Sequence, residues 1–252
     1  MRIPFLLALS ALGGGALDTP SAAQQADPHI YRAVFIRAAP GRLLDLIDHL
    51  KIRREVYRAL GEPEPLLARH SQGDHWDLLL LEPVGSLPDF YAPERQARCD
   101  RAAVEAGITT EEWSRRAELM VAWREELFVA GPPLAEFQER NRDVGFYHLE
   151  VFLGLAGKRD SLLNQRRMEN QYLAAIGRPL NLIFTRQAGA AWDLFTLGFY
   201  RDLQHYAEPT AVSVEKQDAA AISAGFESRN HIGSYLRRFL SAHHDTLLSR
   251  VP

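Results

Sequence analysis

Cysteine is nearly absent: Cys99 is the only one among 252 residues. A single thiol can form neither an intramolecular disulfide nor a cysteine-based zinc site. A basic excess is also missing, since Lys and Arg total 29 against 32 Asp and Glu, for a formal charge of −3. Nucleic-acid binders displace phosphate counterions with positive charge, so no nucleic-acid partner is expected. No HExxH, CxxCH, GxSxG or P-loop pattern occurs. What remains is an ordinary globular composition, with 46% hydrophobic residues to form a core.

The N-terminus reads as an address. Met1-Arg2 gives a short positive start, Ile3–Leu17 is apolar, and Thr19-Pro20 precedes the small residues Ser21-Ala22-Ala23. This is the order of a secretory signal, so residues 1–23 are expected to be removed and the protein exported, periplasmic or secreted. The apolar run is too short to span a bilayer, and no stable membrane insertion is expected.

The rest of the chain repeats itself. Shifted by 116 positions, residues 31–93 align with 147–209 without a gap and share 14 of 63 identities. Tyr31/Tyr147, Gly41/Gly157, Gly61/Gly177 and Gly73/Gly189 are among them, as are Trp76-Asp77-Leu78 and Trp192-Asp193-Leu194. Matching glycines imply matching turns. The expected organisation is a first repeat over 29–131, a linker over 132–144 and a second repeat over 145–252. Each reads as strand, helix, strand, strand, helix. Residues 30–38, 66–70 and 76–81 are the strands of the first copy, with a helix over the stripe Leu43, Leu46, Ile47 and Leu50. Trp113, Met120, Trp123 and Leu127 suggest a second helix, matched in the later copy by roughly 228–243. Leu127–Ala130 and Thr246–Val251 read either as closing strands or as continuations of those helices.

A first strand ending in Pro40-Gly41, followed by an amphipathic helix and a paired hairpin, resembles the dimeric α+β barrel superfamily. Its members include antibiotic-biosynthesis monooxygenase-like, NIPSNAP-like and chlorite dismutase-like proteins. The resemblance covers both copies. It implies an α+β fold of two tandem ferredoxin-like (βαββαβ) repeats that form a barrel, with extra helices. It also implies small-molecule chemistry: oxygenation without a cofactor, isomerisation, haem chemistry or plain ligand binding. Fold does not choose among these. The GxxDG pattern of dye-decolorising peroxidases is absent, which speaks against that haem branch. Members of the superfamily often pair further, so a homodimer is an open expectation.

Strand alternation supplies the candidate residues. In the second copy Tyr147, Leu149, Val151 and Leu153 share one face, and Phe146, His148, Glu150 and Phe152 the other. With the apolar face under the helices, Arg32, His148 and Glu150 are expected to project into the barrel. There His148 is a general base oriented by Glu150, and Arg32 binds an anionic group. The alternative is a salt-linked interior cluster. Phe146 and Phe152 would contact the ligand, as would His70 and Arg186, which occupy aligned positions. No cofactor is expected on this reading. Haem, with an axial histidine from His205, His231, His243 or His244, is the alternative. A non-catalytic exported binding or assembly module is the third reading. The Trp-Asp pairs suggest a core indole and a capping carboxylate. Lys51, Arg53, Arg54 and Arg58 read as a solvated helix face, and Cys99 lacks a base to activate it.

Overall fold

The computed structural model describes residues 29–72 and 74–252. The expected signal, residues 1–23, lies outside them. The first half runs β1 (His29–Ala38), α1 (Leu43–Ala59), β2 (Leu66–Gln72), β3 (Leu78–Gly85), α2 (Leu87–Phe90), α3 (Pro93–Glu105), α4 (Thr110–Met120) and β4 (Val121–Gly131). A short helix, α5 (Leu134–Arg140), follows. The second half runs β5 (Phe146–Gly154), α6 (Arg159–Ala175), β6 (Leu182–Gly189), β7 (Leu194–Tyr200), α7 (Leu203–Ala207), α8 (Val214–Ser223), a 3₁₀ turn (Arg229–His231), α9 (Ile232–Arg237) and β8 (Leu240–Arg250). Among the described residues, no helix is long and apolar enough to cross a membrane.

The strands close into one antiparallel barrel in the order β1-β3-β2-β8-β5-β7-β6-β4. Each half contributes four neighbouring strands in the same internal order. The seams are β2 with β8 and β4 with β6. The local details of the two halves also match. Gly41 and Gly157 turn at φ +76° and +72°, and Gly61 and Gly177 at +66° and +69°. Asp77 accepts a hydrogen bond from the Ala38 amide at 2.8 Å, and Asp193 accepts one from Gly154 at 2.9 Å. The shared Trp-Asp pair thus joins an indole packed on the barrel core, buried at Trp76 and half-buried at Trp192, to a carboxylate that ties down the end of the first strand.

Two boundaries differ from the sequence reading. The helix α4 stops at Met120, so Trp123 and Leu127 lie on β4. The last helix ends at Arg237, and His243-His244-Asp245 lie within β8 instead of at a helix end. In both places pairing with a neighbouring strand overrides local helix propensity. The segments that followed the expected helices are the closing strands.

The interior of the barrel is a packed apolar core. Tyr31, Ala33 and Phe35 meet Tyr147, Leu149 and Val151 there, with Phe184, Phe195 and Leu197. The face expected to lie under the helices therefore points inward. On the outside, Val34, Ile36, Leu78 and Leu80 take the Leu46, Ile47 and Leu50 stripe of α1. Phe152 and Leu194 take Leu162 of α6. The expected linker is structured in part, because Phe137 of α5 is buried in the barrel core.

Candidate functional site

Arg32, His148 and Glu150 do not meet inside the barrel. They stand on outward faces of different halves, where the helices cover them. Closing the sheet reverses the expected faces: eight strands enclose a space that apolar rings fill, and charged groups on the outer face find partners on the helices.

In the first half, Arg32 on β1 is directly opposite Glu82 on β3. Its Nη1 donates to Glu82 Oε2 at 2.9 Å, while Nε and Nη2 fork onto Glu126 of β4 at 2.8 and 2.6 Å. Arg53 comes down from α1 onto the other Glu82 oxygen, and the Tyr57 hydroxyl donates to that oxygen at 3.4 Å. Glu82 is fully buried. Burial alone would raise its pKa, but Arg53 and Arg32 outweigh that and hold the carboxyl below its usual range.

Above this network lies a cavity of about 270 Å³ between α1 and the α2–α4 segment. Tyr57, Phe90, Tyr91 and Trp113 supply aromatic walls, and Arg53, Arg95, Gln96 and Cys99 supply polar ones. Arg95 is committed: it forks onto Glu62 at 3.1 and 2.6 Å, bonds the Phe90 carbonyl and lies 4.5 Å over the Phe90 ring. Arg53 is only half committed. Its Nε faces Glu82, its guanidinium lies 5.4 Å over Trp113, and no acceptor among the described residues takes its Nη hydrogens. Burial pushes the Cys99 thiol up, which keeps it neutral near pH 7.

In the second half, Glu150 on β5 is directly opposite Asp245 on β8, and Phe152 is opposite His243. Arg166 of α6 donates to Glu150 Oε2 at 2.9 Å and also pairs with Glu169. Thr196 donates to the same Glu150 oxygen at 3.1 Å. His243 Nε2 lies 3.4 Å from Glu150 Oε1, and His148 Nε2 lies 2.6 Å from Asp245 Oδ1. Burial would raise the Glu150 pKa, but the His243 contact and the Arg166 charge bring it down to about 2. Burial pushes Glu169 up, with Arg166 opposing. A more open cavity of about 620 Å³ borders Glu150, Arg166, Glu169 and His243.

The other expected ligand contacts lie elsewhere. Phe152 packs against Leu162, and Phe146 lies 6.2 Å from the Tyr206 ring; neither lines these two cavities. His70 lies 4.9 Å from the Trp76 ring, and Arg186 pairs with Asp193 at 3.0 Å. Arg53, Tyr57, Glu82 and Arg95 were missed as site residues. The signal for them was Glu82 ending the run Leu78–Leu81, because a carboxylate in an apolar strand requires a cation from a neighbouring element.

The sequence matches no family model and no curated protein. Solved structures do match in fold. An anthrone oxidase-like protein aligns at TM-score 0.56 and 12% identity, over 90% of this chain and 93% of that one. A proposed monooxygenase from Fusobacterium nucleatum aligns at TM-score 0.55 and 10% identity, over 90% and 94%. Another, from Lactobacillus acidophilus, aligns at TM-score 0.52 and 7% identity, over 89% and 94%. This chain is thus similar in fold to ferredoxin-like α+β barrel proteins over nearly its whole described length. These two cavities offer haem no free axial histidine. No histidine lines the first cavity, and His243 in the second has Glu150 3.4 Å from Nε2, which leaves no room for a porphyrin plane on that nitrogen.

Proposed function

We propose that the protein is an exported small-molecule-binding α+β barrel, built from two ferredoxin-like repeats, that holds a planar organic anion in the first-half cavity. The half-committed Arg53 guanidinium, under Tyr57 and Trp113 in a cavity also lined by Phe90 and Tyr91, carries this reading. A carboxylate or phenolate would accept from the Arg53 Nη groups, while its ring packs against Tyr57, Tyr91 and Trp113. Glu82, itself held by Arg32, holds Arg53 in place from below. The 1–23 segment supports export, and the shared turns of the two halves support duplication. The Pro40-Gly41 turn and the repeat support placing the chain among the antibiotic-biosynthesis monooxygenase-like and NIPSNAP-like proteins. Because every strand is paired on both sides, a homodimer would form through helices. Oxygenation or isomerisation of the bound anion, without a resident cofactor, is the enzymatic extension of this reading. His148 and Glu150, on the other half, lie outside the reach of that ligand.

Calorimetric titration with benzoate and salicylate, and with benzyl alcohol as the uncharged control, tests the reading. Both anions should bind at one site, and Arg53→Met should weaken them by about 10-fold or more, the worth of a charged hydrogen bond. Arg53→Lys keeps the charge on Glu82 and separates lost recognition from lost folding. Equal binding of the alcohol, or anion binding unchanged in both variants, would overturn the assignment.

A further inference from the structure

We propose a divalent-metal site on the second half, formed by Glu150 Oε1, His243 Nε2 and one carboxylate oxygen of Asp245. One ligand atom from each residue lies within 4.8 Å of the other two. Strand pairing builds this arrangement: Asp245 is directly opposite Glu150, and His243 is two residues along the same strand on the same face. The 3.4 Å from His243 Nε2 to Glu150 Oε1 exceeds a charge-assisted hydrogen bond of about 2.7–2.9 Å. It is close to the edge of about 3.3 Å between two ligands that each lie about 2.0–2.1 Å from a tetrahedral ion.

Each ligand is also oriented from behind. Arg166 and Thr196 occupy Glu150 Oε2 and leave Oε1 facing His243. The His243 ring lies flat on Phe152, with centroids 4.8 Å apart and planes at 7°. His148 holds Asp245 Oδ1 at 2.6 Å and leaves the other oxygen for an ion. Outer contacts of this kind fix ligand geometry in metal sites. Arg166 pairs with both Glu150 and Glu169, while Asp245 has His148 as its partner, so three carboxylates share one guanidinium and two imidazoles and the local charge favours a cation. The cavity beside Glu150 and His243 supplies an open coordination position. One imidazole with two carboxylates suits a zinc- or manganese-class ion, and the lack of thiolate disfavours copper(I).

The protein, purified without a polyhistidine tag and stripped with chelator, is titrated with zinc chloride by calorimetry and with cobalt(II) by visible absorption. One equivalent should bind, with cobalt bands of a nitrogen- and oxygen-ligated ion. His243→Ala and Asp245→Asn should each weaken binding by more than about 100-fold, and His148→Gln by about 10–100-fold. Far-ultraviolet circular dichroism and thermal midpoints confirm that the variants fold, and His231→Ala serves as an unaffected control. The absence of saturable binding would overturn the proposal. So would one-equivalent binding that persists in both His243→Ala and Asp245→Asn, since the ion would then sit on other histidines.

Discussion

Arg32 and Glu82 are direct cross-strand partners, 2.9 Å apart, on the face of the sheet that points away from the barrel axis. Arg53 and Tyr57 complete the contacts of that carboxylate from α1. A buried charge of this kind is stabilising only while its partners remain, and deleting one side leaves the other desolvated and unpaired. Glu82→Gln should therefore cost about 3–5 kcal/mol of unfolding free energy by urea denaturation at pH 7. A cost below about 1 kcal/mol, the range of exposed pairs, would show that water already screens the site.

Acid should remove the same stabilisation. Burial opposes ionisation of Glu82, but Arg53 and Arg32 prevail and its folded pKa lies below the ordinary glutamate value of 4.5. Its contribution is then fully present above about pH 4.5 and is lost as pH falls through the folded pKa, where the folded state takes up a proton later than the unfolded chain. Urea midpoints measured from pH 7 to pH 3 should fall below pH 4.5, and they should fall less steeply in Glu82→Gln. Equal acid slopes in the two proteins would assign the loss to other carboxylates.

The shift of 116 residues made the architecture legible, because turns and core positions repeat: Tyr31 and Tyr147 are both fully buried in the barrel, and Leu46 and Leu162 both on the buried faces of helices. The direction of the faces was not legible. Tyr147, Leu149 and Val151 are apolar enough for either side, while His148 and Glu150 looked too polar to lie beneath a helix. The deciding partners, Arg166 and Asp245, come from elements 16 and 95 residues away from Glu150, beyond any local pattern. The same holds for Arg53, which reads as part of a basic solvated turn until Glu82 is placed beneath it. The start of β8 reads as helix because its residues up to Asp245 are helix-tolerant, and Thr246–Val251 reads as either strand or helix, since what fixes the strand is pairing to β2 and β5.

The β4–β6 seam closes the barrel where Gly189 lies opposite Leu127. Gly189 has φ +98°, and an added Cβ would stand 2.4 Å from the Glu126 carbonyl oxygen and 2.7 Å from Leu127 Cα. Backbone on a paired strand cannot yield as a flexible side chain can. Gly157→Ala gives the comparison, since its φ of +72° carries the same kind of strain with nothing within 4 Å of the new Cβ. Gly157→Ala should cost about 1–2 kcal/mol, the left-handed penalty alone. Gly189→Ala should cost clearly more and lower the thermal midpoint further. Equal midpoints would mean that the seam can open locally without loss.

If residues 132–144 were only a tether between two halves, truncating a side chain there would change little. Phe137 instead leaves α5 to enter the barrel core, with its ring 5.4 Å from Tyr31 and 6.1 Å from Phe199. Tyr31 belongs to the first half and Phe199 to the second, so one side chain packs against both. The Tyr31 hydroxyl reinforces this end by donating to the Pro132 carbonyl at 2.9 Å, and the Tyr147 hydroxyl donates to Asn141 Oδ1 at 2.8 Å. Phe137→Ala should leave an apolar void among these rings and cost about 3–5 kcal/mol. Denaturation should remain a single transition that moves to lower urea, because the void touches both halves at once. A second transition would show that the halves fold separately and that Phe137 packs mainly on one of them, while an unchanged midpoint would return the segment to the role of a tether.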